Sequence, residues 1–150
     1  MAGEAGRPRF RFLFNVCNDV AAMRRFYVEL LGLEEAAFMD TPEFAYLSVE
    51  AGGFEVMWFR ADTELPVPTA FACQPGWEGG TLETTSWAVF IPEERFETVR
   101  QALVSAGTSL FEQEPAWRQD SYLAVSALDP MGVTVEVYTV PSSPPVTGSK

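Results

Sequence analysis

The sequence predicts an α+β fold built from two βαβββ modules in tandem, their sheets curved into an open, barrel-like arrangement around a shared cavity. Three observations predict it. Within 150 residues, YLSVEAGGFEVMWF (46–59) and YLAVSALDPMGVTVEVYTV (122–140) repeat one pattern: a YL(S/A)V run, a Gly-containing turn and an alternating segment holding one glutamate. A strand-then-helix signal precedes each copy. The spacing is regular, with 74 positions from Asp19 to Glu93, 75 from Gly32 to Gly107 and 76 from Tyr46 to Tyr122. It then grows to 81 between Glu55 and Glu136, which the longer second turn absorbs.

The elements follow in order. RFRFLFNV (9–16) alternates as a strand should, with Phe10, Phe12 and Phe14 on one face and Leu13 on the other. NDVAAMRRFYVELLGLE opens on an N-cap residue, Asn18 or Asp19, runs apolar at Val20, Met23, Phe26, Tyr27, Leu30 and Leu31, and stops at Gly32. Strands at Ala45–Val49 and Phe54–Phe59 join across AGG as a hairpin. The second module repeats the order: SWAVFI as a strand, PEERFETVRQALVSAG as a helix with Phe96, Val99 and Leu103 inward, a strand at Tyr122–Ser126, a DPMG turn and a last strand through Glu136. The expected organisation is therefore a mobile N-terminus (1–8), a first module (9–60), a Pro- and Gly-rich linker or lid (61–84), a second module (85–141) and a mobile tail (142–150).

Composition limits the function. A net charge of −11 repels phosphate backbones and favours cationic solutes, so nucleic acid is not an expected partner. There is no apolar run near the ~20 residues that cross a bilayer, and MAGEAGRPRFRF lacks the apolar centre of a secretory signal. Two cysteines, Cys17 and Cys73, make no disulfide framework, so a reducing, cytoplasmic setting is expected. With no histidine in the chain, neither thiol has an imidazole to activate it, and Ser86 has no base of the serine-hydrolase type.

Candidate site residues come from strand parity. Because side chains alternate with period two, Met57 and Phe59 share the face of Glu55, and Thr134 and Tyr138 share that of Glu136. Phe26, Tyr27 and Phe96 sit on helix faces and are core. Phe12, Phe14 and Phe90 lie on the sheet face away from the helices, where aromatic rings beside carboxylates suit a flat or cationic ligand. Two glutamates sharing one cavity would raise the pKa of at least one of them. The structural alternative for Glu136 is a tie to a donor such as Arg118.

NDVAAMRRFYVELLGLE and LDPMGVTVEVY, in this order and with an internal repeat, resemble the vicinal oxygen chelate superfamily of glyoxalase I, extradiol dioxygenases, fosfomycin-resistance proteins and bleomycin-binding resistance proteins. The resemblance covers both modules. It implies paired βαβββ modules, a homodimer, and commonly a divalent metal held by His or Gln on the first strand of each module and Glu on the last. In this chain the first-strand positions carry Phe12 and Ser86, and the last-strand positions Glu55 and Glu136. Half of that donor set is missing, since a divalent transition metal takes about four ligands. Two carboxylates with Ser86 and water would hold only a hard ion such as Mg²⁺, and weakly.

The departure is similar to the bleomycin-binding branch, which lacks metal ligands and binds a cationic drug in acidic, aromatic-lined grooves. The expected function is thus metal-free small-molecule binding, a sequestration of the antibiotic-resistance kind, with no cofactor and an aromatic or cationic ligand. The expected ligand-binding set is Phe12, Phe14, Glu55, Met57, Ser86, Phe90, Glu136 and Tyr138. The alternative is a lyase, isomerase or dioxygenase-like enzyme using Glu136 as catalytic base or as ligand of a weakly held ion. A third is an interaction module whose cavity is closed by its own phenylalanines.

Overall fold

The computed structural model describes residues 6–72 and 85–143. Cys73, the 73–84 part of the expected linker, residues 1–5 and the tail from 144 lie outside the described residues. The chain forms two compact units, Met1–Leu65 and Pro66–Lys150, each an α+β module with one open four-stranded sheet. Neither sheet closes into a barrel, because in each the first and second strands of the module are the free edges.

In the first unit the elements are β1 (Phe12–Cys17), α1 (Val20–Arg24), β2 (Glu35–Asp40), β3 (Ala45–Glu50) and β4 (Glu55–Arg60), with sheet order β1-β4-β3-β2. β1 runs parallel to β4, and the others pair antiparallel. Asp19 is the N-cap: its Oδ1 accepts from the amides of Ala21 (2.9 Å) and Ala22 (3.2 Å). Asp19→Ala is expected to cost about 1 kcal/mol, seen as a lower urea midpoint at unchanged slope.

The helix does not stay α-helical to Gly32 as expected. From Arg25 to Leu30 it widens into a π-helical segment, with Leu31 N–H donating to the Phe26 carbonyl. The wider turn accompanies burial of two consecutive rings, Phe26 and Tyr27, which meet nearly edge to face at 4.8 Å. Tyr27 stacks on Trp58 at 4.4 Å. Trp58, Leu47, Val49, Cys17 and Met23 complete the core between helix and sheet. Cys17 is a buried thiol within this core.

The second unit repeats the plan with β5 (Ser86–Phe90), α2 (Glu93–Ser105), β6 (Ala116–Arg118), β7 (Tyr122–Leu128) and β8 (Thr134–Thr139), in the order β5-β8-β7-β6. Phe96, Val99 and Leu103 of α2 are buried, as their spacing predicts, with Val125, Val135 and Val137 of the sheet. Glu93 and Glu94 in the first turn complement the helix dipole.

The connection divides between the units. Asn18 grips Leu65 at both ends, its Nδ2 donating to the Leu65 carbonyl (2.9 Å) and its Oδ1 accepting from the Leu65 amide (2.7 Å). Beyond Leu65 the chain is a strap on the second unit: Phe71 packs on Phe111 at 5.5 Å, and the Ala72 amide donates to Thr134 Oγ1 at 2.8 Å.

Candidate functional site

The predicted site residues fall four to each unit. In the first, register puts Phe12 opposite Glu55 and Phe14 opposite Met57, so all four share the face turned away from α1. Phe12 stacks on Phe14 (5.8 Å), and Phe14, Phe44 and Tyr46 each lie about 6 Å or less from the Phe59 ring. Phe14 is 67% exposed, an open aromatic surface rather than core. Glu55 is already engaged. The Ser48 hydroxyl donates to its Oε1 (2.7 Å), and Arg11 Nη1 donates to its Oε2 (3.0 Å). These two bonds, Ser48 first, hold the Glu55 carboxyl below its ordinary pKa, opposite to the rise that a shared, desolvated pair of glutamates would give.

In the second unit the same face carries a cleft of about 390 Å³ lined by Ala72, Ser86, Trp87, Ala88, Tyr122, Ser126, Thr134 and Glu136. Strand register explains the convergence: Ser86 pairs with Thr134, Ala88 with Glu136, and Ser126 with Glu136 from the other side. Ser86 and Glu136 thus come together as expected. Phe90 and Tyr138 lie farther along the same face, edge to face at 5.7 Å, with Tyr138 against Tyr122 at 5.2 Å.

The cleft is more polar than the sequence suggested. Three hydroxyl residues, Tyr122, Ser126 and Thr134, join Ser86 around the carboxylate. Tyr122 hydrogen-bonds to Glu136, and burial, the Glu136 charge and that bond push the tyrosine pKa up, so its proton is retained. Arg118 Nε lies 3.6 Å from Glu136 Oε2, an ion pair rather than a hydrogen bond, while its Nη2 donates to Glu112. Arg118 and Tyr122 face each other across the β6–β7 hairpin. Sequence reasoning named Arg118 as a partner for Glu136 but not Tyr122, Ser126 or Thr134 as site residues. The two-residue parity that placed Tyr138 beside Glu136 also places Thr134 there.

The register corrects one expectation. β4 and β8 are both six-residue strands, and Val16 pairs with Phe59 as Phe90 pairs with Tyr138. On that alignment Glu55 occupies the place of Thr134, and Met57 the place of Glu136. The two glutamates are not counterparts.

A family model described as the Glyoxalase/Bleomycin resistance protein/Dioxygenase superfamily matches residues 11–137. The chain belongs to this superfamily. Solved structures agree on the fold. A genomically encoded fosfomycin resistance protein, FosX, from Listeria monocytogenes superposes with a TM-score of 0.62 at 10% identity, over 91% of this chain and 96% of that one. A glyoxalase family protein from Enterococcus faecalis gives 0.57 at 20% identity, over 89% and 98%. The oxidase ChaP-H2 gives 0.58 at 19%, over 89% and 94%. No curated protein matches the chain.

Superfamily membership raises the question of a metal, and the residues present do not fit a divalent transition ion. Phe12 has no donor atom, Met57 offers a thioether where the second module has Glu136, and Ser86 is a neutral hydroxyl. Glu136 itself already faces a guanidinium. Among the described residues no three Asp, Glu or Cys side chains cluster as a site would need.

Proposed function

We propose that this superfamily member is a small-molecule-binding protein that works without a metal, holding a cationic, hydrogen-bond-donating ligand in the second unit's cleft. One observation carries the reading: a carboxylate, Glu136, stands among four hydroxyl side chains in a cleft of drug-sized volume, about 390 Å³. Hydroxyls can orient a donor-rich ligand, and the carboxylate supplies charge. The chain's net charge of −11 adds a long-range attraction for cations. Sequestration of a toxic compound is the role this reading assigns, in keeping with the fosfomycin resistance protein among the structures of like fold. A cytoplasmic homodimer belongs to the same reading, checked by light scattering of the purified protein. Within each unit the rings, Phe12 and Phe14 in the first and Phe90 and Tyr138 in the second, offer a surface for a flat ligand.

The test uses a matched pair of probes, benzamidine and its uncharged isostere benzamide, followed by tryptophan fluorescence, since Trp87 lines the cleft. Benzamidine is expected to saturate at one per chain and to bind more tightly than benzamide. A hydrogen bond to a charged group is worth about 1.5–3 kcal/mol, so Glu136→Gln should weaken benzamidine about 10- to 100-fold. Equal affinity for both probes, or indifference to Glu136→Gln, sinks the proposal.

A second reading has its own observation. Tyr122 hydrogen-bonds to Glu136 in the same cleft, so Glu136 as base, oriented by the phenol, would suit a lyase or isomerase. That reading requires turnover that Glu136→Gln removes while the fold survives.

A further inference from the structure

We infer that Arg118 is a tethered cation that takes the place of a metal ion at Glu136, positioning the carboxylate at the cleft and neutralising part of its charge. The inference rests on the reading that Glu136 is the group a ligand meets. It starts from the misfit between the superfamily's metal and this chain's donors. The last-strand carboxylate survives, yet three of the four symmetric positions offer no charged donor: Phe12, Ser86 and Met57. Glu136 is only one-fifth exposed, and a partly buried carboxylate is accommodated best beside an opposite charge. Arg118 supplies it from within the chain.

The supporting geometry is specific. Arg118 bridges two carboxylates, contacting Glu112 through Nη2 and facing Glu136 through Nε at 3.6 Å. Glu112 is tied through Oε1 to Arg118, while its Oε2 is buried with no hydrogen-bond donor among the described residues reaching it, so the guanidinium is the charge partner the structure gives this carboxylate. All three side chains are half-buried, at 27%, 18% and 20% exposure, where charge pairs are less screened than on an open surface. The triad as a whole keeps one net negative charge, so the cleft still favours a monocation.

The backbone is shaped to deliver this guanidinium. β6 is only three residues long and ends on Arg118. The turn that follows puts Gln119 and Asp120 both at φ 53°, closed by Ser121 N–H to the Arg118 carbonyl at 2.9 Å. Two successive left-handed residues make the tight hairpin turn whose twist matches its strands. Gly, Asn and Asp are the usual occupants, and Gln119 is the exception, held in a backbone region that L side chains adopt at a cost. Among the described residues these are the only non-glycine positions with positive φ. Strain of this kind persists where surrounding contacts over-determine it, and here the contacts are those of Arg118 and Tyr122, on either side of the turn, with Glu136.

The experiment titrates the full chain with Mn²⁺ alone, following loss of the free-ion signal by electron paramagnetic resonance, in wild type, Glu136→Gln, Arg118→Lys, Arg118→Gln and Arg118→Gln/Glu136→Gln. Wild type and Arg118→Lys are expected to take up no Mn²⁺ through Glu136. Arg118→Gln, with two carboxylates facing the vacated space, should bind Mn²⁺ at least about tenfold more tightly than wild type, and the double variant should lose that gain. Mn²⁺ uptake by wild type that Glu136→Gln removes, or no gain in Arg118→Gln, overturns the inference. A second readout does not need Arg118 removed: the Arg118 Nε–Hε resonance of the wild-type chain should move in Glu136→Gln and in Glu112→Gln, and an unmoved resonance in Glu136→Gln refutes the tether. Neither readout uses a small organic ligand, so a failed benzamidine titration and a failed tether are told apart.

Discussion

Gly132→Ala is expected to destabilise the second unit by about 2–5 kcal/mol and to lift the Pro66–Ala72 strap from the sheet. Gly132 ends the DPMG turn at φ +76°, where an L side chain is strained, and a Cβ built there would lie 2.2 Å from the Pro68 carbonyl oxygen. Left-handed backbone costs a non-glycine residue about 1–2 kcal/mol, and forced overpacking adds about 1–3. The neighbour in the way is backbone, so no side-chain rotation relieves it. Asp129 fixes the other side of the turn, its Oδ1 accepting from the amides of Met131 (2.8 Å) and Val133 (3.0 Å). The strap must therefore move. Since Ala72 forms one wall of the cleft and donates to Thr134, the displacement should show as faster hydrogen exchange at the Ala72 amide together with weaker benzamidine binding. Unchanged exchange at Ala72 would mean that the strap is not seated by Gly132.

Trp58→Ala should cost about 3–5 kcal/mol, the largest effect expected of any single truncation in the first unit. The indole is 2% exposed and lies between helix and sheet, stacked on Tyr27 at a centroid separation of 4.4 Å. Truncation loses the burial of a large ring and leaves a void that the π-helical segment, with Phe26 and Tyr27 packed behind it, cannot easily fill. Total stability of a domain is about 5–15 kcal/mol, so the variant should fold marginally if at all. Trp58→Phe keeps most of the packing and is expected to lose less than half as much. Denaturant melts of both variants separate the ring-packing account from one in which position 58 merely tolerates any apolar residue.

What the sequence disclosed follows from periodicity. Alternation at Phe12/Phe14 and at Glu136/Tyr138 assigned faces correctly, because a strand's period of two is insensitive to where it begins. The helices' inward residues, Val20, Met23, Phe96, Val99 and Leu103, were equally legible. The second strand of each module was not. Glu35–Asp40 and Ala116–Arg118 are edge strands with one side unpaired and much of their surface in solvent, so EAAFMD and AWR carry no strong alternation. Register was harder still. The YL(S/A)V likeness aligns Tyr46 with Tyr122, yet hydrogen-bonded pairing sets Tyr46 opposite Phe59 and Ala124 opposite Tyr138. A shift of two residues preserves every face and so leaves no trace in the hydrophobic pattern, but it moves the counterpart of Glu136 from Glu55 to Met57.

The polar character of the cleft was hidden for a related reason. Ser86, Tyr122, Ser126, Thr134 and Arg118 come from four strands, and each alone reads as an ordinary strand residue. Only the cross-strand pairing gathers them around Glu136. The first unit shows the converse: Glu55 looks like a functional carboxylate in sequence, and Ser48 and Arg11 occupy it in the fold.

The most direct test of the account is a residue-resolved amide nuclear magnetic resonance titration of the full chain with benzamidine. Binding in the second unit's cleft predicts saturable shifts centred on Ser86, Tyr122, Ser126, Thr134 and Glu136, absent with benzamide at the same concentration and suppressed in Glu136→Gln. Shifts confined to the aromatic face around Phe12 and Phe14, or saturable shifts at the cleft that persist undiminished in Glu136→Gln, would contradict it.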